Sequence, residues 1–172
     1  MKVKNISAGI AGIFLFVVAG LPQTAVAKEV EMNLRFAGTF ITNSLPSALI
    51  HATGKGSPGK VELRGYGGTS EVIGFDPVCL GSPGFRIDIT ENPLVFKFQD
   101  LSLLFASNGN GIICIRSTGL LDFEINLMFQ NGRGRFEGAT GTATITGEAE
   151  AVNSAGTFIA ETGTIVGTIV LP

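Results

Sequence analysis

The chain has 172 residues, a formal charge of −2, 24 glycines, one histidine and no tryptophan. It holds no basic run, which argues against nucleic acid as a partner. Its two cysteines stand 35 positions apart with no histidine near either, a poor ligand set for a metal.

Residues 1–27 read as a secretory signal peptide. Lys2 and Lys4 give a positive start, Ile10 to Val18 a short apolar run, Gly20 to Pro22 a break, and Ala25-Val26-Ala27 a small-x-small cleavage site. A membrane anchor would need about 20 uninterrupted apolar residues, and Gly9, Gly12, Gly20 and Pro22 interrupt this stretch. The remainder, residues 28–172, is expected to form a single domain in a secreted or periplasmic location. Removing Lys2 and Lys4 from the 12 basic residues leaves 10 against 14 acidic ones, a charge of −4. No later apolar stretch is long enough to cross a bilayer as a helix, so no stable membrane anchor is expected.

From there the pattern has a period of two. Val30, Met32, Leu34 and Phe36 alternate with Glu29, Glu31, Asn33 and Arg35, which predicts a half-buried strand. Asn43 to His51, with Pro46 in a first turn, is the one stretch that suits a turn or two of helix. Further strands are predicted at Lys60 to Arg64, Phe85 to Thr90, Leu94 to Gln99, Leu101 to Ala106 and Gly111 to Arg116. The longest alternation, Leu121 to Phe129, follows, then Thr142 to Ala151 and Thr157 to Leu171. Turn signals separate them: Gly54 to Gly59, Gly67-Gly68, Gly81 to Gly84, Glu91-Asn92-Pro93 and Asn108 to Gly111. Eight or more short strands so punctuated predict an all-β fold, an antiparallel closed barrel of about eight strands. Bulky residues crowd the middle of the chain and Thr, Gly and Ala the last third. A small barrel needs both, large side chains to fill its lumen and small ones to let the sheet coil.

Residues 132–147, GRGRFEGATGTATITG, raise the question of a phosphate-binding loop. The glycine spacing is neither G-x-G-x-x-G nor a P-loop, and a β-branched strand sequence follows where a helix would be required. A hairpin corner is the better reading, with glycines at turns or bulges and Phe136 anchored in the core. This segment resembles a G-x-G-x-F-x-G-A-T-G motif of small exported bacterial proteins, which is followed in them by a closing G-T-I-x-G-T-I, here Gly163 to Ile169. Phe96 to Asp100 resembles their aromatic-polar-aromatic hairpin. Those proteins are similar to the allene oxide cyclase and dirigent-like barrels. The resemblance spans Leu94 to Leu171 and implies an eight-stranded antiparallel barrel; it carries no catalytic residue onto a numbered position.

For chemistry the candidates are few. Cys79 and Cys114 are expected to form a disulfide in an exported chain. His51 stands alone without a nucleophile motif and is expected in an exposed or loop-packing role. Asp122 with Glu124, and Glu148 with Glu150, share strand faces opposite the apolar ones and should face water, which keeps a carboxyl from acting as a general acid of raised pKa. Tyr66, between Gly65 and Gly67, is a candidate for the mouth of a ligand pocket. The lumen is open to two readings, a filled core or a dry cavity for an apolar ligand. No cofactor is expected. The leading functional expectation is a non-catalytic binder of a small apolar ligand or partner. The alternatives are a cyclase or isomerase acting on a hydrophobic substrate in the lumen, and a structural or matrix protein.

Overall fold

The computed structural model describes residues 27–44, 47–68 and 70–172. The signal peptide expected over residues 1–27 lies outside the described residues except for Ala27. Ten strands follow: β1 (Lys28–Ser44), β2 (Ser47–Ser57), β3 (Val61–Gly67), β4 (Ser70–Asp76), β5 (Gly84–Ile89), β6 (Leu94–Phe98), β7 (Leu103–Ile115), β8 (Leu121–Arg133), β9 (Thr140–Ala151) and β10 (Phe158–Leu171). Eight of them close a ring in the order β7-β6-β3-β2-β1-β10-β9-β8, with β8 pairing back onto β7. Every pairing is antiparallel. Closure removes the bare edges that an open sheet of this size would present.

Chain termini make the seam. β1 and β10 pair from Lys28↔Leu171 to Ile41↔Phe158. The period of two decides which face each side chain takes. Met32, Leu34 and Phe36 are buried while Glu31, Asn33 and Arg35 are exposed; Leu94, Phe96 and Phe98 are buried while Val95 and Lys97 are exposed. Each large apolar side chain withdrawn this way contributes about 1.5–3 kcal/mol.

β7 is shared along one edge. Its Leu103–Ala106 half pairs with β6 and its Gly111–Ile115 half with β5, so the β4–β5 hairpin continues the barrel wall where β6 stops. Between the halves the register against β8 shifts at Ser107/Asn110. The turn predicted at Asn108 to Gly111 is therefore an irregularity inside one continuous strand. Gly111 is needed there because a Cβ would lie 2.3 Å from the Glu124 carbonyl oxygen. The predicted helical turn over 43–51 is also corrected. Residues 43–44 end β1 and 47–51 begin β2, whose Leu49 to His51 pair with both β1 and β3; Pro46 lies outside the described residues. Two-sided backbone pairing outweighs a weak local helix preference. The Gly54 to Gly59 signal is half strand, since β2 runs to Ser57. Leu101 precedes β7 instead of starting it, at φ 65° in the tight turn from β6.

The segment at 132–147 is the predicted corner. Gly134 (φ 67°) opens a single 3-10 turn, Gly134–Phe136, and Gly138 (φ 70°) leaves it. Phe136 is buried against Phe98 at 4.7 Å between ring centroids, and the Arg135 guanidinium lies over both rings. Further along, Gly147 and Gly163 face each other between Phe123 and Phe36. A Cβ on Gly163 would sit 2.9 Å from the Phe36 ring and one on Gly147 would sit 2.7 Å from that of Phe123. The two rings thus come close to glycine backbone, an approach that no side chain would permit.

A half-hollow barrel as candidate functional site

The lumen is filled at one end and open at the other. Around the Phe136 corner, Met32, Leu34, Phe96, Phe98, Leu104 and Ile169 are essentially inaccessible to solvent. Toward the β4–β5 hairpin the inward positions shrink to Ala48, Gly67, Ala149 and Ala151. A cavity of about 300 Å³ results, walled mainly by Phe40, Ile50, Ile87, Ile113, Phe123 and Ile159. A narrow extension of about 30 Å³ leads from it toward Phe36, Leu63 and Leu94.

Thr42 and Ser70 add hydroxyls to the cavity wall, and two further polar side chains border both the cavity and its extension. The first is Glu161. It takes an inward position on β10 in the series Ile159, Glu161, Gly163, Ile165. Its cross-strand neighbours are Gly38 and Ala149, which leave room for a long side chain. It is 8% exposed, and burial alone pushes its carboxyl up to about 7. No hydrogen bond or ion pair reaches that carboxyl from the other described residues. Among the described residues no second ionisable side chain lines the cavity.

The second is Asn92, 1% exposed, with its Oδ1 lacking a hydrogen-bond partner among the described residues. Glu91-Asn92-Pro93 carries a turn signature, yet its backbone runs along β3: Tyr66 N–H donates to the Pro93 carbonyl at 3.2 Å and Gly68 N–H to the Glu91 carbonyl at 2.9 Å. That extended path aims Asn92 inward, two positions before the buried Leu94. An acceptor buried without a donor costs about 1–3 kcal/mol.

The hairpin wall is pinned from outside. Cys79 and Cys114 form the expected disulfide, with Cα atoms 5.9 Å apart and both residues buried. It ties the turn after β4 to the outer face of β7. Arg116 completes the anchor. Its guanidinium donates to the carbonyls of Cys79 (2.9 Å) and Ser82 (2.7 Å) and pairs with Asp122. Arg86 pairs with Asp88 at 2.6 Å within the hairpin itself. At the rim Val72, Phe75 and Phe85 remain exposed. By strand alternation and register, all three lie on the face that carries Ile87 and Ile89 into the cavity.

Other residues singled out by sequence lie elsewhere. Tyr66 is 47% exposed on the outward phase of β3; its neighbours Gly67 and Gly68 line the cavity. His51 is exposed on the outer face of β2, with Nε2 3.2 Å from Glu62 Oε1. Glu62 also pairs with Arg64, whose hydrogen bond holds the carboxyl below its ordinary value. Glu124, Glu148 and Glu150 are exposed, and Asp122 is half-buried on Arg116. No cluster suited to a metal ion exists among the described residues. A larger depression, about 770 Å³, is an open groove on the outer face bordered by exposed Arg35, Lys55, Lys60 and Lys97. It contains no buried polar group, so the interior cavity is the better candidate site.

Sequence reasoning missed Glu161 and Asn92 as lining residues. For Glu161 the signal was available as an acidic residue on the apolar phase of a strand. For Asn92 it was hidden beneath a turn dipeptide. Scanned against protein-family models the chain matches none, and neither the curated proteins nor the solved structures hold a significant match.

Proposed function

We propose that this is an exported, non-catalytic barrel that binds a small apolar molecule in its open end. The observation that carries the reading is the cavity of about 300 Å³, walled mainly by apolar side chains and supplied with three buried polar residues, Thr42, Asn92 and Glu161. That combination of apolar walls and a few convergent polar groups is the usual make-up of a small-molecule site. The apolar rim of Val72, Phe75 and Phe85 supports it, since an apolar ligand arrives by crossing such a surface. Export is supported by the leader sequence and by the Cys79–Cys114 disulfide, a bond that persists in oxidising compartments. Among the described residues no helix is long and apolar enough to cross a membrane.

Titration with an environment-sensitive naphthalene dye tests the reading. We expect saturable fluorescence enhancement with the wild-type protein and its loss in Ala48→Phe, which fills the cavity. Equal enhancement by a folded Ala48→Phe protein would sink the proposal. Native mass spectrometry of protein purified from its own host should show a co-purifying small molecule.

A second reading is favoured by one feature. Burial places the Glu161 carboxyl near neutrality, where a single group can both give and take a proton. With the resemblance to allene oxide cyclase-like barrels, this supports an isomerase or cyclase of a hydrophobic substrate. Deuterium from solvent entering a bound ligand, and failing to enter with Glu161→Gln, would favour it over simple binding.

A further inference from the structure

We infer that the ligand ends in a neutral hydroxyl group, held at the inner end of the cavity between Asn92 and Glu161. The inference rests on the binding reading above and specifies the chemistry of the buried end. Among the described residues, Asn92 Oδ1 is a buried acceptor that has no donor. The Glu161 carboxyl faces the same small extension without a partner among the described residues. Burial keeps that carboxyl protonated below about pH 7, so it presents an O–H. The pair therefore asks for a group that gives one hydrogen bond and takes one.

A hydroxyl does both through a single atom, donating to Asn92 Oδ1 and accepting from Glu161. An ether oxygen only accepts and leaves Asn92 unsatisfied. A carboxylate only accepts and brings a second negative charge beside Glu161. An ammonium only donates, and it would be a desolvated charge unless Glu161 ionised to meet it. The strands beside β10 present Phe40, Thr42 and Ala151 to this space, and those across the lumen Ile50, Ile113 and Phe123, none ionisable. At roughly 30 Å³ for each small group in a liquid, the cavity holds about ten non-hydrogen atoms. An eight-carbon alcohol fits that size.

The test is displacement of the naphthalene dye at pH 6 by 1-octanol, octyl methyl ether, octylamine and octanoic acid. We expect 1-octanol to bind about tenfold more tightly than the ether, which is the value of one satisfied buried hydrogen bond. Glu161→Gln keeps a donor and should keep that preference. Asn92→Leu, which removes the acceptor that only a hydroxyl can satisfy, should still bind the dye while 1-octanol and the ether converge to within twofold. If the four compounds displace the dye equally, the cavity reading survives and the hydroxyl inference is overturned. Octylamine binding tightest overturns it too, because Glu161 would then act as an anion. If neither dye nor any of the four compounds binds, both readings fall.

Discussion

At the corner formed by residues 134–139, Phe98 and Phe136 pack tilted at 4.7 Å and Phe96 meets Phe129 edge-on at 5.7 Å. At the far end of the same strands, small side chains at Ala48, Gly67 and Ala151 leave about 300 Å³ unfilled. An eight-stranded barrel has an interior that large side chains just fill. Whether a given layer is solid or hollow therefore depends on the size of the few residues that share that layer. Solidity at one end fixes the barrel's shape. That rigidity lets the other end keep a cavity, together with an unpaired carboxyl and an unpaired amide oxygen, without collapsing around them.

This contrast breaks most sharply on substitution. Phe136→Ala should cost about 3–5 kcal/mol, because a tightly packed layer relaxes poorly around a lost ring. Ile89→Ala, beside existing empty space, should cost less than half as much. Chemical denaturation measures both, and equal costs would mean that the two ends are packed alike. Replacing Cys79 and Cys114 together by serine should lower stability by roughly 3–4 kcal/mol, the chain-entropy value for a loop of this length. Loss of dye binding at denaturant concentrations where the remaining barrel persists would sharpen the contrast, by showing that the bond serves the hairpin wall.

Glu161 gives a pH-dependent comparison. Its folded pKa, about 7, lies above the ordinary value of 4.5. Protons thus bind the folded state more strongly: the contribution to stability is complete below about pH 4.5 and is lost as pH rises through 7. The full effect is on the order of 3 kcal/mol. Glu161→Gln should therefore gain on the wild type between pH 5 and 8 and flatten the profile of melting temperature against pH. A wild-type profile that already matches the variant would place the carboxyl in water. The smallest effect is expected at Gly67, where an added Cβ meets Ala48 at an ordinary 3.6 Å. Gly67→Ala should change stability by less than about 1 kcal/mol, in the stabilising direction, through the entropy of the unfolded chain.

Much of this architecture was legible in the residues. The alternation through Leu121, Phe123, Ile125, Leu127 and Phe129 predicts the buried face of β8, and all but half-buried Leu121 are fully buried. Glycine spacing at 132–141 excludes a phosphate loop and predicts a corner, and the cysteine pair predicts a covalent tie. The sequence was misleading where local chemistry and pairing disagree. Asn108 to Gly111 has every mark of a turn but is carried through by β7, and residues 47–51 suit a helix in isolation but lie between two strands.

What the sequence by itself determined is the class of structure, since a period of two and the placing of glycine, proline and cysteine are properties of neighbouring residues along the chain. What only the tertiary structure decided is the hollow end, with Asn92 and Glu161 in its wall. Gly38, Glu161 and Ala149 come from three strands, and they meet because the register of β1, β10 and β9 sets them side by side. Cavity volume and the pKa of a buried acid depend on such cross-strand neighbours, which the order of residues along one strand does not contain.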